Sequence, residues 1–80
     1  MTFIYYWEHW TDETKYHRYS SAADAADLSH LGEVGVIVKD RDGRLVVESV
    51  SPRQTKKETA AALVATRRAM ESREGWGEDA

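Results

Sequence analysis

Few side chains in this sequence are equipped for chemistry. His9, His17 and His30 are its three imidazoles, and two of them, His9 and His17, lie where a hairpin could bring them together. A zinc ion held there would still need a carboxylate and a further ligand, and no residue at a fixed spacing supplies them. Asp40-Arg41-Asp42-Gly43 has the look of a calcium loop. With Gly43 in the sixth place, however, the first place falls on Val38 and the twelfth on Ser49, and neither carries a carboxylate. No nucleophile elbow, phosphate-cradling glycine loop or zinc-protease motif occurs, and Asp24 and Asp27 are accounted for as helix-start and surface residues. The expectation is a protein that is not an enzyme, with no catalytic residue, no metal and no cofactor.

The residues suited to binding lie elsewhere. Positions 3 to 10 run Phe3-Ile4-Tyr5-Tyr6-Trp7-Glu8-His9-Trp10, and side chains on a strand alternate between its two faces. Phe3, Tyr5, Trp7 and His9 therefore share one side, and Ile4, Tyr6, Glu8 and Trp10 the other. A sheet covered by helices on one face needs only one such set for its core. Phe3, Tyr5 and Trp7 are assigned inward, and Ile4, Tyr6 and Trp10 are left as exposed apolar side chains. Tyr and Trp dominate interface hot spots, so the expected protein-binding surface is Ile4, Tyr6, Trp10, Tyr16 and Arg18. The partner is another protein or a second copy of the chain.

A second set is basic. Residues 51 to 74 carry six basic side chains against three acidic ones, which leaves the rest of a chain of net charge −3 at −6. Arg53, Lys56, Lys57, Arg67 and Arg68 are placed mainly on one helix face. Such a stripe can contact phosphates without regard to sequence, which makes nucleic-acid binding the alternative function. Arg67 is also spaced to pair with Glu71 four residues on.

The elements that must position these groups follow from local signals. A chain of 80 residues has room for one domain, because at this size only about 60% of the unfolded surface is buried. Its 41% hydrophobic and 31% charged residues are an ordinary globular balance rather than the low-hydrophobicity, high-charge profile of a disordered chain. With no cysteine neither a disulfide scaffold nor a thiolate metal site is available. No leader or membrane span is visible, and the expected setting is cytoplasmic.

Positions 3 to 10 and 16 to 19 read as a β-hairpin, with Glu8 opposite Arg18 and Trp7 opposite Tyr19 if the loop holds three residues. Ser21 and Asp24 resemble a capping box at the start of a helix from Ala22 to about Leu31. That helix would be anchored by Leu28 and Leu31 and ended by Gly32 in the left-handed conformation. Val34 to Val38 and Leu45 to Val50 form a second hairpin, closed by Asp40 bonding back to the turn and Gly43 at positive φ. A long helix begins at Ser51-Pro52, or one turn later at the capping box Thr55-Lys56-Lys57-Glu58. It runs to about Gly75 and buries Thr59, Ala62, Leu63, Thr66, Ala69 and Met70. The fold class is α+β in the order ββαββα, with a four-stranded antiparallel sheet and two helices on one face. Residues 1–75 form the domain and 76–80 an acidic tail.

The run Tyr16-His17-Arg18-Tyr19-Ser20-Ser21-Ala22-Ala23-Asp24-Ala25-Ala26, after an aromatic strand and a polar turn, resembles the arm-binding domain of tyrosine integrases. That resemblance implies a DNA-binding hairpin. This hairpin, however, sets Lys15 and Arg18 against Glu8, Asp12 and Glu13, where that family's sheet is strongly basic. In size, absence of cysteine, alanine-rich helices and the hairpin Asp40-Arg41-Asp42-Gly43-Arg44-Leu45, the chain is similar to small uncharacterised proteins of actinobacterial phages. This resemblance implies a modulator of a host or phage protein and carries over no site residues.

Overall fold

In a computed structural model, residues 2–9 and 17–73 are described. The order is β1 (Ile4–His9), β2 (His17–Tyr19), α1 (Ala22–Ala26), β3 (Gly32–Lys39), β4 (Leu45–Val50) and α2 (Lys56–Ser72). The strands form one antiparallel sheet in the order β2-β1-β3-β4, so the fold is α+β as the sequence implied. β3 is a central strand, and Val34 to Val38 are buried without a break. A strand covered on both faces has no polar side to alternate.

Both helices pack on the side of the sheet that carries Phe3, Tyr5, Val34, Val36 and Val38. These residues form one core with Ala22, Ala25 and Ala26 of α1 and Leu63 and Met70 of α2. α1 lies against β1 and β2, and α2 against β3 and β4. Trp7 packs at the edge of this core and is half-buried. Its indole N–H donates to the Leu28 carbonyl at 2.7 Å, which ties β1 to the chain leaving α1.

Several local expectations are corrected. α1 stops at Ala26, and tight turns continue the chain, with Leu28 N donating to Ala25 O at 3.2 Å and Ser29 N to Ala26 O at 3.1 Å. The alanines rather than the leucines anchor it: Leu28 is half-buried and Leu31 is 43% exposed. A helix of alanines approaches the sheet too closely for longer side chains to be its main contacts. Ser21 is the N-cap, yet its side chain forms no capping bond.

Gly32 does not end a helix in left-handed backbone but begins β3 opposite His9. It is glycine because a Cβ there would collide with the Glu8 carbonyl and lie 2.9 Å from Trp7 Nε1. The second hairpin closes as expected. Asp40 Oδ1 accepts from Asp42 N at 2.9 Å and Arg44 N at 2.8 Å, and Gly43 takes φ 82°. α2 uses the later of the two starts: Thr55 Oγ1 accepts from Glu58 N at 3.1 Å and donates to Glu58 Oε1 at 3.0 Å. It ends at Ser72 rather than Gly75, and Ala69 is exposed.

Candidate functional site

The face of the sheet away from the helices is assembled by strand register. Tyr6 of β1 stands opposite Arg18 of β2 and Gly35 of β3. Ile4, Ile37 and Val47 form the next row, and Lys39 stands opposite Leu45. The expected pairs Glu8 with Arg18 and Trp7 with Tyr19 are replaced by Tyr6 with Arg18, Trp7 with His17 and Tyr5 with Tyr19. The slip is two residues. A slip by an even number leaves every side chain on its face, so the assignment of faces survives although the partners change.

Tyr6 is the main correction. It lies on the outer face as expected but is fully buried. Its ring occupies the space that a side chain at Gly35 would fill, since a Cβ there would lie 2.6 Å from Tyr6 Cε2 and 2.8 Å from its hydroxyl oxygen. That hydroxyl donates to Glu33 Oε2 at 2.7 Å. Tyr6 therefore supports the outer face and is not presented on it. Ile4 is half-buried and Arg18 exposed, while Trp10 and Tyr16 lie outside the described residues.

Beside Tyr6 the outer face opens into a groove of about 550 Å³ lined by Thr2, Ile4, Arg18, Ile37, Lys39 and Leu45. Its floor is aliphatic, with Ile37 buried and Leu45 51% exposed. Arg18 and Lys39 stand at its rim, and neither forms an ion pair among the described residues. Among the described residues no acidic side chain lines it. Lys39, Ile37 and Leu45 were missed in the sequence because Lys39 and Leu45 flank a turn and Ile37 sits in an unbroken apolar run. Only the strand order brings them beside Ile4.

The basic set does not form one stripe. Arg67 leaves it: its guanidinium carbon sits 5.4 Å from the centre of the Tyr5 ring, and Nε lies 3.5 Å from Glu71. The neighbouring Tyr5 hydroxyl is the largest influence raising the Arg67 pKa above its ordinary value. The signal was present in the spacing, since Arg67 follows the buried Leu63 by four residues and precedes Met70 by three. Arg53 donates to the Ser51 carbonyl at 3.0 Å, Lys56 lies 3.8 Å from Asp27, and Lys57 and Arg68 are exposed.

The imidazoles of His9 and His17 flank the Trp7 ring, with ring centres 5.6 and 5.2 Å away. Among the described residues no group of three or more His, Cys, Asp or Glu side chains gathers to hold a metal ion. Among the described residues no helix is long and apolar enough to cross a membrane. Comparison with known proteins finds no matching family model, no similar curated protein and no similar solved structure.

Proposed function

We propose that the chain is a non-enzymatic binding module whose outer sheet face takes a segment of a partner protein carrying acidic and apolar side chains. The observation that carries this reading is the aliphatic floor of Ile4, Ile37 and Leu45 with Arg18 and Lys39 at its rim, neither in an ion pair among the described residues. Apolar burial supplies affinity without direction, and the two cations favour a partner with carboxylates at matching positions. The surface so defined is aliphatic and cationic instead of aromatic. A cytoplasmic modulator of a host or phage protein is the setting this reading favours, on the absence of cysteine and the phage-type resemblance of the sequence.

The test is selection of peptides from a random display library on the immobilised full chain, followed by fluorescence anisotropy. The enriched peptides should combine Asp or Glu with Leu, Ile or Phe. They should lose at least about tenfold in affinity to the double variant Arg18→Glu, Lys39→Glu, and lose affinity on raising salt. Peptides without acidic residues, or equal binding by the double variant, would refute it. Sedimentation of the wild type and of the double variant reads out self-association: a dimer abolished by the double substitution makes a second copy the partner.

The nucleic-acid alternative has less support, because Arg67 is turned onto Tyr5 and Lys56 faces Asp27. Salt-sensitive binding of DNA or RNA that is lost in Lys57→Glu, Arg68→Glu would revive it.

A further inference from the structure

The outer face of the sheet carries charge of opposite sign at its two ends. At one end Glu33 of β3 stands directly opposite Glu8 of β1. Glu33 is exposed and Glu8 half-buried, and neither carboxylate forms an ion pair among the described residues. The Tyr6 hydroxyl that donates to Glu33 at 2.7 Å is neutral, so two like charges stand across one strand pair, an unfavourable arrangement. At the other end Lys39 closes β3 in solvent, and Arg18 lines the same groove.

Glu33 and Lys39 belong to one strand. Their even spacing puts both on the outer face, about 20 Å apart. Between them lie two rows that β1, β3 and β4 leave uncharged. Ile4, Ile37 and Val47 form the row beside Lys39, and Tyr6, Gly35 and Ser49 the row beside Glu33. The first row is aliphatic. The second is level, because the Tyr6 ring fills the space over Gly35.

Granted that the outer face is a binding surface, on which this inference rests, we propose that its partner is the same face of a second copy of the chain, related by a two-fold axis that crosses the strands. A half-turn about such an axis, passing over Val36, reverses the strands. Lys39 of each copy then lies over Glu33 of the other, and each aliphatic row lies on the other's level row. An axis along the strands would instead stack Glu33 on Glu33 and Lys39 on Lys39, so charge selects one of the two ways of laying the faces together. A partner that is only acidic would leave Glu8 and Glu33 facing more carboxylates. A second copy meets both ends at once. The sheet presents roughly 20 by 25 Å, from four strands about 4.8 Å apart around a central strand of 8 residues. Two such faces bury about 1,000 Å² together, at the small end for a specific interface, so the pair is weak and reversible.

The experiment is sedimentation equilibrium of the full chain from about 10 to 500 µM, at low and raised salt. A monomer–dimer equilibrium weakened by salt is expected. Lys39→Glu and Glu33→Lys, both at exposed positions, should each raise the dissociation constant at least about tenfold, because the two-fold axis repeats the change in two contacts. An equal mixture of these two variants should dimerise again, since each offers the charge the other lacks. Lys39→Gln should weaken the dimer severalfold, and Arg68→Gln on α2 should leave it unchanged. Circular dichroism checks that each variant is folded. A wild type monomeric at the highest concentration, a dimer indifferent to both Lys39→Glu and Lys39→Gln, or folded variants whose mixture stays monomeric would overturn the proposal. A monomeric wild type that still binds the selected acidic peptides through Arg18 and Lys39 would remove the second copy and leave the binding face standing. A monomer that binds no such peptide would remove both.

Discussion

The two faces of the sheet are built from alternate residues of the same strands, yet they bury large side chains by different means. On the inner face Phe3 and Tyr5 are covered by helices, in one core with Leu63 and Met70. On the outer face Tyr6 is buried as completely but stands outside that core. Its ring uses the gap left by Gly35, and its hydroxyl reaches Glu33. A glycine in a central strand is ordinarily a weakness. Here it makes room for an aromatic ring, so that the middle of the open face is closed and the groove beside Ile4 and Leu45 remains. The comparison shows that a large aromatic on the unpartnered side of a sheet need not be a binding residue, because the strand next to it can be shaped to receive it.

The comparison is broken most strongly from the inner side. Leu63 is fully enclosed between α2 and the sheet, and Leu63→Ala should cost about 2–5 kcal/mol through lost burial and the cavity left behind. Urea unfolding followed by circular dichroism measures it, and a loss under about 1 kcal/mol would mean that the helices do not hold the core. On the outer side Gly35→Ala should cost about 1–3 kcal/mol, as an overpacking that displaces both the Tyr6 ring and the neighbouring strand. The contacts met by the new methyl group are Tyr6 and the Glu48 carbonyl, so relief by side-chain movement alone is not available. A neutral Gly35→Ala would show that Tyr6 does not need the gap.

What was legible in the sequence follows the range over which each feature is determined. The Asp40 to Gly43 turn and the Thr55 cap were readable because their hydrogen bonds close within four residues. Alternation alone separated Phe3, Tyr5 and Trp7 from Ile4, Tyr6 and Trp10 without deciding which set the helices cover, and Trp7 is only half-buried at the edge of the core. The pairing of β1 with β2 was not, because the length of the intervening loop sets it, and the observed register differs from the expected one by two residues. The burial of Tyr6 was illegible for a deeper reason. It depends on Gly35 lying directly opposite, and nothing local to positions 3 to 10 indicates that β3, 30 residues on, is the neighbouring strand. Gly32 misled in the same way: a glycine after a short helix suggests a cap, while its actual constraint is the Glu8 backbone across the sheet.

A finer probe of the outer face is Tyr6→Phe, which keeps the ring over Gly35 and removes the hydroxyl that donates to Glu33. Because Glu33 is exposed and its carboxylate can be rehydrated, the cost should be about 1 kcal/mol. It should be the same in Tyr6→Phe and in the double variant Tyr6→Phe, Glu33→Gln. A larger loss in the double variant would mean that Glu33 supports the face by some other contact.

The smallest effect on folding, and the one that separates support from function, belongs to Leu45. Its side chain is half in solvent and lines the groove, so Leu45→Ser removes little that folding has buried and should change stability by no more than about 0.5 kcal/mol. If the groove is a docking surface, the same change removes an apolar contact that becomes buried only in the complex. Affinity for the selected acidic peptides should then fall about tenfold, the equivalent of burying one aliphatic side chain. Urea midpoints and anisotropy on one preparation report the two quantities together. A loss of stability comparable to that of Gly35→Ala would place Leu45 with Tyr6 among the supports of the face. Unchanged stability with unchanged affinity would remove Leu45 from the site.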